Sequence, residues 1–395
     1  MSLGQLLQVE HSLEYHTAKM TQRGLLCDTD ETQRQIEILD SGIEQASDRL
    51  ADIGIPANVA KDEGRLELTD YLVDAGCELV MTPKSKKLKI GADDLRLMTV
   101  DASEETKAVV EDLVFIKKAQ KIQSAYLYPF LMHAEADGRV HPSIRTMGAR
   151  THRMSVSQPP LQQIPRDPLV EGADTRGCLV ADPGNLLVTA DYAQIEQRVY
   201  ATLAGEPELI EAFRNGDDFH KTVASRLFNV DAEHVNTDQR QIAKNAGYLM
   251  IYGGGPRKLA VTAGIPIDHA TEIQKTMKKA QPNGMRYAKS LANQEAITTP
   301  FGRVLPIDAA RRYAAINYMI QSTARDLFVI GMTRLITAGY AEYLWIPEHD
   351  EILMNVPEDN AESIAKEMGG LMHINFYGVP IVAEGTVLGR RWRKA

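Results

Sequence analysis

Leu186-Leu187-Val188-Thr189-Ala190-Asp191-Tyr192-Ala193-Gln194-Ile195-Glu196-Gln197-Arg198 runs a short, mostly apolar segment into an aspartate and continues with residues that suit a helix. A buried strand needs such an aliphatic and β-branched run, and the point where it breaks into a helix is where functional groups are commonly presented. The stretch therefore predicts a strand that delivers Asp191 to the floor of a site. Asp191 itself has two readings, a helix cap or a metal ligand, and a second carboxylate would shift the balance between them.

The chain around it has 395 residues, enough for two or three ordinary domains or one multi-lobed enzyme with a substantial core. Its net charge of -9 argues against nucleic-acid binding through overall positive charge and leaves room for a locally basic groove. Cys27, Cys77 and Cys178 form no CxxC pair, so neither a disulfide framework nor a structural zinc site is expected. No apolar run approaches a membrane span and the start has no signal-peptide pattern, so the expected setting is the cytoplasm of a bacterium or of an infected host cell.

The patterning divides the chain. Ile36, Leu39, Ile43, Ala46 and Leu50 place an apolar stripe on one helix entered through Asp28 or Asp30, and Val109, Leu113, Ile116, Ile122 and Tyr126 sketch a second. Two such helices can pack antiparallel as an arm, with Thr82-Pro83-Lys84-Ser85-Lys86-Lys87-Leu88-Lys89 near its end. That lysine run reads as a solvated loop or as a phosphate grip. After residue 135 the texture turns to short strands. Helical patterning fills Pro207 to Ala296, a turn or hairpin follows at Thr298 to Leu305, a further helix covers Ala314 to Thr337, and the end is strand-rich. The layout is α+β, with the middle helical region inserted between two parts of one sheet domain.

Glu348-His349-Asp350-Glu351 interrupts two apolar strands close enough in sequence to form a hairpin. Crowding Asp350 and Glu351 there costs repulsion that a divalent cation would offset. With Asp191 on a neighbouring strand, two aspartates could bridge a pair of Mg²⁺ ions, which suit all-oxygen ligands and serve phosphoryl transfer. Between these stations, Arg240, Lys244, Tyr248 and Tyr252 recur every four residues. A four-residue step drifts only about 40° around a helix, so the four share a broad face of two cations and two rings. That order fits a triphosphate followed by sugar and base, or an amphipathic helix with solvent-facing cations and core tyrosines. His220, in Asp218-Phe219-His220-Lys221, could join the phosphate contacts.

In their order, these blocks resemble family A DNA polymerases, the bacterial DNA polymerase I group and its phage relatives, over about the last two thirds of the chain. Thr151-His152-Arg153-Met154-Ser155 with Leu161-Gln162-Gln163-Ile164-Pro165 is similar to the first polymerase segment, Asp191 to Arg198 to motif A, Arg240 to Gly253 to motif B, and His349-Asp350-Glu351 to motif C. Asn317 and Gln321 match a template and primer minor-groove pair, and Lys117 to Ile122 looks like the end of the thumb. The resemblance implies a right-hand polymerase fold with a helical thumb (1–135), an antiparallel-sheet palm (136–205 and 310–395) and helical fingers (206–309). It implies that Asp191, Asp350 and the backbone carbonyl of Tyr192 bind two Mg²⁺ ions, with Mn²⁺ as a substitute and Glu351 in support. His220, Arg240 and Lys244 would hold the incoming dNTP, Lys244 also as proton donor to pyrophosphate, with Gln194, Tyr248 and Tyr252 around it. Glu196 would block a ribose 2′-hydroxyl. Arg153, Gln162, Asn317, Gln321 and His349 would meet primer-template DNA near the terminus, as would Lys84, Lys86 and Lys87 at the thumb tip.

The chain also departs from the family's commonest pattern. Tyr248 stands where many bacterial members have Phe, which implies ready acceptance of dideoxynucleotides. Leu249 replaces a Gly, Tyr313 an Arg, Pro160 an Asn, and Ala193 and Gln197 also differ. Nothing upstream resembles a 3′–5′ exonuclease or a 5′ nuclease, so a monomeric polymerase without proofreading is expected, for replication or repair. Two other readings stay open: a single-subunit RNA polymerase, against which Glu196 and Glu351 speak, and a noncatalytic DNA-binding scaffold.

Overall fold

The computed structural model describes residues 3–251 and 254–393, with the side chains of residues 3, 4, 248, 250 and 251 outside that description. Tyr252 and the side chain of Tyr248 therefore lie outside the described residues.

The stretch Asn185–Tyr192 is a strand, and it is interior to a four-stranded antiparallel sheet. The order across the sheet is Ala383–Gly389, Asn185–Tyr192, Glu351–Pro357, Leu344–Glu348. Alternation along a strand sends successive side chains to opposite faces. Val188, Ala190 and Tyr192 enter the large core shared with the helices Ala315–Thr337 and Ala361–Met372, whereas Leu187 enters a second core with Leu353, Trp345 and Trp392. Asp191 has the parity of Leu187 and Thr189, so it emerges on the face away from the long helices. The edge strand can approach the helix Ala361–Met372 because residue 385 is glycine: a β-carbon there would overlap the carbonyl oxygen of Ala365.

From Tyr192 the chain leaves the sheet through the helix Ile195–Ala204 and, among the described residues, six further α-helices between Pro207 and Ala292. It returns by the hairpin of Ala296–Thr298 and Val304–Pro306 and by Ala315–Thr337. The middle region is the insertion that the patterning predicts. Pro207, Pro256 and Pro282 each open a helix, where the missing N–H costs nothing.

The arm is also present. Thr29–Ala51 begins at Asp28, whose carboxylate accepts the Glu31 N–H at 3.0 Å. It pairs with Glu104–Ile122, and Arg49 meets Asp112 at 2.6 Å between them. Ile36, Leu39, Ala46 and Leu50 are buried as the stripe requires. Helices Asp62–Asp74 and Ala92–Met98 close a small core at the tip through Leu68, Leu72 and Leu95. The second long helix continues through a π-helical turn, Gln123–Leu127, into Tyr128–Ala134, and the Tyr126 hydroxyl donates to the Gln163 carbonyl at 2.8 Å.

The start of the expected thumb, residues 1–135, packs elsewhere. The arm does not include the helix Leu3–Arg23, whose Leu13 and Met20 pack into the core of the sheet and inserted helices. Its Glu10 is buried against Arg325 at 2.7 Å, in a cluster where Arg303 bonds Asp326 at 2.7 Å. Helical periodicity reveals an apolar face but not the surface it will cover. No helix among the described residues is long and apolar enough to cross a membrane.

Candidate active site

The hairpin sets the second carboxylate beside the first. Glu351 is the register partner of Asp191 on one side, and Glu384 is its partner on the other. Glu348 faces Glu351 across the hairpin, so acidic side chains form a row across all four strands. Only His349 and Asp350 make the turn. His349 adopts φ +57°, the left-handed region that such two-residue loops demand, and the Tyr192 N–H meets the Asp350 carbonyl oxygen at 3.3 Å. Thr189, two residues before Asp191 on the same face, donates to Glu351 at 2.5 Å.

Concentrated negative charge in a partly dry site resists ionisation. Burial, then the charges of Asp350 and Glu351, push Asp191 up to about 8. Burial pushes Asp350 up to about 6 against the nearby Arg153 guanidinium, and Glu351 is raised as well. Arg166, 3.8 Å from Glu351, is a weak counter-charge. Hard carboxylate oxygens that repel one another suit a divalent cation. Among the described residues no three acidic, imidazole or thiol side chains converge as a ready ligand set. Asp191 and Asp350 could hold such a cation only with further oxygen donors, such as the Tyr192 carbonyl, water or substrate, and Mg²⁺ is commonly held that way.

The cationic helix is Thr237–Ile251, packed on Phe219–Phe228. Asp218 caps the latter, accepting the N–H groups of His220 at 2.9 Å and Lys221 at 3.1 Å, and its other oxygen holds Arg240 Nε at 2.8 Å. His220 is buried, and its imidazole is pushed down to about 4 by burial, then by the charges of Arg240 and Lys244. The three predicted phosphate ligands therefore converge. Arg240 and Lys244 are half-buried beside His220, whereas Ala243, Ala246 and Leu249 enter the core.

Other predicted residues are placed differently. Arg153 is ion-paired with Glu196, although the sequence reading set one at the primer and the other at the sugar. Gln162 is engaged within the protein: it donates to the Pro347 carbonyl at 3.1 Å and accepts the Val156 N–H at 3.3 Å, which braces the hairpin strand. Gln194 takes φ +55° immediately before the helix that carries Glu196. Asn317 has a buried carbonyl oxygen without a partner among the described residues, and Gln321 follows one turn later, half-buried. His349 is exposed at the hairpin turn. Lys84 and Lys86 are exposed on a tight turn at the far end of the arm, while Lys87 is engaged by Asp62 at 2.5 Å.

Sequence reasoning missed Thr189, Asp218 and Glu348. Thr189 could have been found from strand parity with Asp191, and Asp218 from its position as a helix cap.

Comparison with known proteins matches residues 39–394 to the family model described as DNA polymerase family A. A DNA polymerase of Mycobacterium phage D29 is 30% identical over 393 residues, covering 98% of this chain and 63% of that protein. A thermostable DNA polymerase I of Thermus filiformis is 30% identical over 415 residues, covering 98% and 48%. This chain therefore spans between about half and just under two thirds of these relatives, from 48% to 63%. The solved POL domain of Pol1 from M. smegmatis, in complex with DNA primer-template and dNTP, superposes with a TM-score of 0.82 at 26% identity, covering 97% of this chain and 70% of that one.

Proposed function

Because this chain belongs to DNA polymerase family A, we propose that it extends a primer 3′-hydroxyl with deoxynucleoside triphosphates on a DNA template. The observation that carries this reading is the sheet row that sets Asp191 against the Asp350–Glu351 hairpin. The convergence of His220, Arg240 and Lys244 supports it. The arm from about residue 25 to 135 acts as the thumb, the sheet with its long helices as the palm, and the inserted helices as the fingers.

Asp191 and Asp350, with the Tyr192 carbonyl, would hold the two Mg²⁺ ions. When bound, these activate the attacking 3′-oxygen and stabilise the leaving phosphate oxygen. Glu351, fixed by Thr189, maintains the negative potential beside them. Arg240 and Lys244 orient the triphosphate, and His220, neutral at physiological pH, contributes a hydrogen bond without adding charge. Lys244 is also assigned, by resemblance, the role of giving a proton to departing pyrophosphate. Primer extension with Mg²⁺ and dNTPs tests the whole reading, and no extension on a primed template would refute it. We also read these 395 residues as carrying no proofreading site, so a 3′-mismatched primer should not lose its terminal nucleotide.

Sugar selection is assigned to Glu196, which is buried and ion-paired with Arg153. An added 2′-hydroxyl would have to displace that pair, a repulsive device of the kind that sets specificity. Glu196→Ala should raise ribonucleotide use relative to deoxynucleotide use by about tenfold or more. Unchanged selectivity in a competition assay would remove the role. The same assay on the parent separates a DNA from an RNA polymerase. Acceptance of dideoxynucleotides is assigned to Tyr248 by resemblance. Tyr248→Phe should lower dideoxy relative to deoxy incorporation by about tenfold or more, and an unaltered ratio would sink the assignment.

A further inference from the structure

Glu348 precedes the catalytic turn, and nothing in the proposed reaction uses it. We propose that Arg176 is a positioning residue for the His349–Asp350 turn, acting through a buried two-bond clamp on Glu348. The inference rests on the polymerase reading of that turn.

Both partners are buried, Glu348 at 2% exposure and Arg176 at 7%. Arg176 Nη1 meets Glu348 Oε2 at 2.9 Å and Nη2 meets Oε1 at 2.5 Å, with a further bond from Nη2 to the Ile164 carbonyl at 3.2 Å. The guanidinium lies 4.7 Å from the Trp392 ring centroid, and Trp392 itself packs edge-on against Trp345 of the hairpin strand. Arg176 sits on the short helical turn Thr175–Cys178, just before the strand Leu179–Val180. That strand belongs to a different sheet, with Leu25–Cys27 and Arg139–Val140. The clamp thus ties the catalytic hairpin to a second sheet.

Stability alone does not account for such a pair, since well-packed apolar residues of similar size usually serve as well or better. A planar fork on both carboxylate oxygens fixes orientation as well as distance. Glu348 is directly followed by the two-residue turn and faces Glu351 in register, so rotation at Glu348 passes straight into Asp350 and its row.

Three proteins decide it: the parent, Arg176→Lys, which keeps the charge and loses the fork, and the double variant Arg176→Met with Glu348→Met, which replaces the pair by apolar groups. Each is assayed at a temperature where circular dichroism shows it fully folded. Two quantities are read: steady-state primer extension, and Mn²⁺ affinity by electron paramagnetic resonance without DNA. The double variant is expected to melt within a few degrees of the parent, about 3. Both variants should lose about tenfold in kcat with KM for dNTP within about threefold, and should bind Mn²⁺ at least about threefold more weakly. If either folded variant retains kcat within about twofold and the parental Mn²⁺ affinity, the pair is structural only and the proposal is overturned. Mn²⁺ affinity also separates two failures, because it reports on the clamp even if the parent extends no primer.

Discussion

Asp350→Ala is expected to lower primer extension by about a thousandfold or more, with duplex DNA affinity, followed by fluorescence anisotropy, changed by less than about threefold. The separation follows from where the residue lies. Asp350 occupies a turn between two strands whose core side chains are unaffected, and proteins that bind DNA take most of their affinity from phosphate contacts, which this substitution would not touch. Near-normal extension would refute the metal assignment.

The same acidic cluster has a cost that predicts the opposite sign for stability. Asp191 in the fold is raised from 3.8 to about 8 by burial and then by Asp350 and Glu351. Between those values the folded state holds a proton that the unfolded chain has released, so stability falls as pH rises through that window and the loss is complete above about 8. At pH 8 in EDTA, Asp191→Asn should therefore melt several degrees above the parent, roughly the effect of a few kcal/mol. Adding Mg²⁺ at that pH should stabilise the parent more than the variant. A lower melting point for the metal-free variant would show that the carboxylate is not under repulsion.

Lys244→Ala and Arg240→Ala should each reduce kcat/KM for dNTPs by about a hundredfold or more. Both cations project from one helix face toward a buried imidazole, and Asp218 already takes the Nε edge of Arg240, which pre-orients the guanidinium. Asp218→Asn should therefore weaken dNTP use by a smaller factor, about tenfold, through disorder of Arg240 rather than loss of charge. His220 stays neutral above about pH 4, so dNTP affinity should not titrate with it between pH 5 and 8. Single-turnover kinetics over dNTP concentration check all three. An unchanged kcat/KM for Lys244→Ala would place the triphosphate elsewhere.

Much of the site was legible because its chemistry is local in sequence. The strand into Asp191, the acidic turn at Asp350 and the four-residue recurrence of Arg240 and Lys244 are each written within about a dozen residues, and period 2 or 3.6 fixes which side chains share a face. The helical insertion and the arm were legible for the same reason. What could not be read was partnership between distant segments. Arg153 and Glu196 pair across 43 residues, and Arg176 and Glu348 across 172. Gln162 turns inward to brace Pro347, and the helix Leu3–Arg23 joins the sheet rather than the arm.

By itself, the sequence determined the elements, the faces their side chains share and the family resemblance, and it nominated the two aspartates and their cationic companions. Only the tertiary structure decided which charges neutralise one another, which polar groups brace the turn, and how far the carboxylates are driven from their ordinary ionisation. Periodicity is a property of the local backbone, whereas an ion pair or a desolvated acid depends on what folding brings alongside it from elsewhere in the chain.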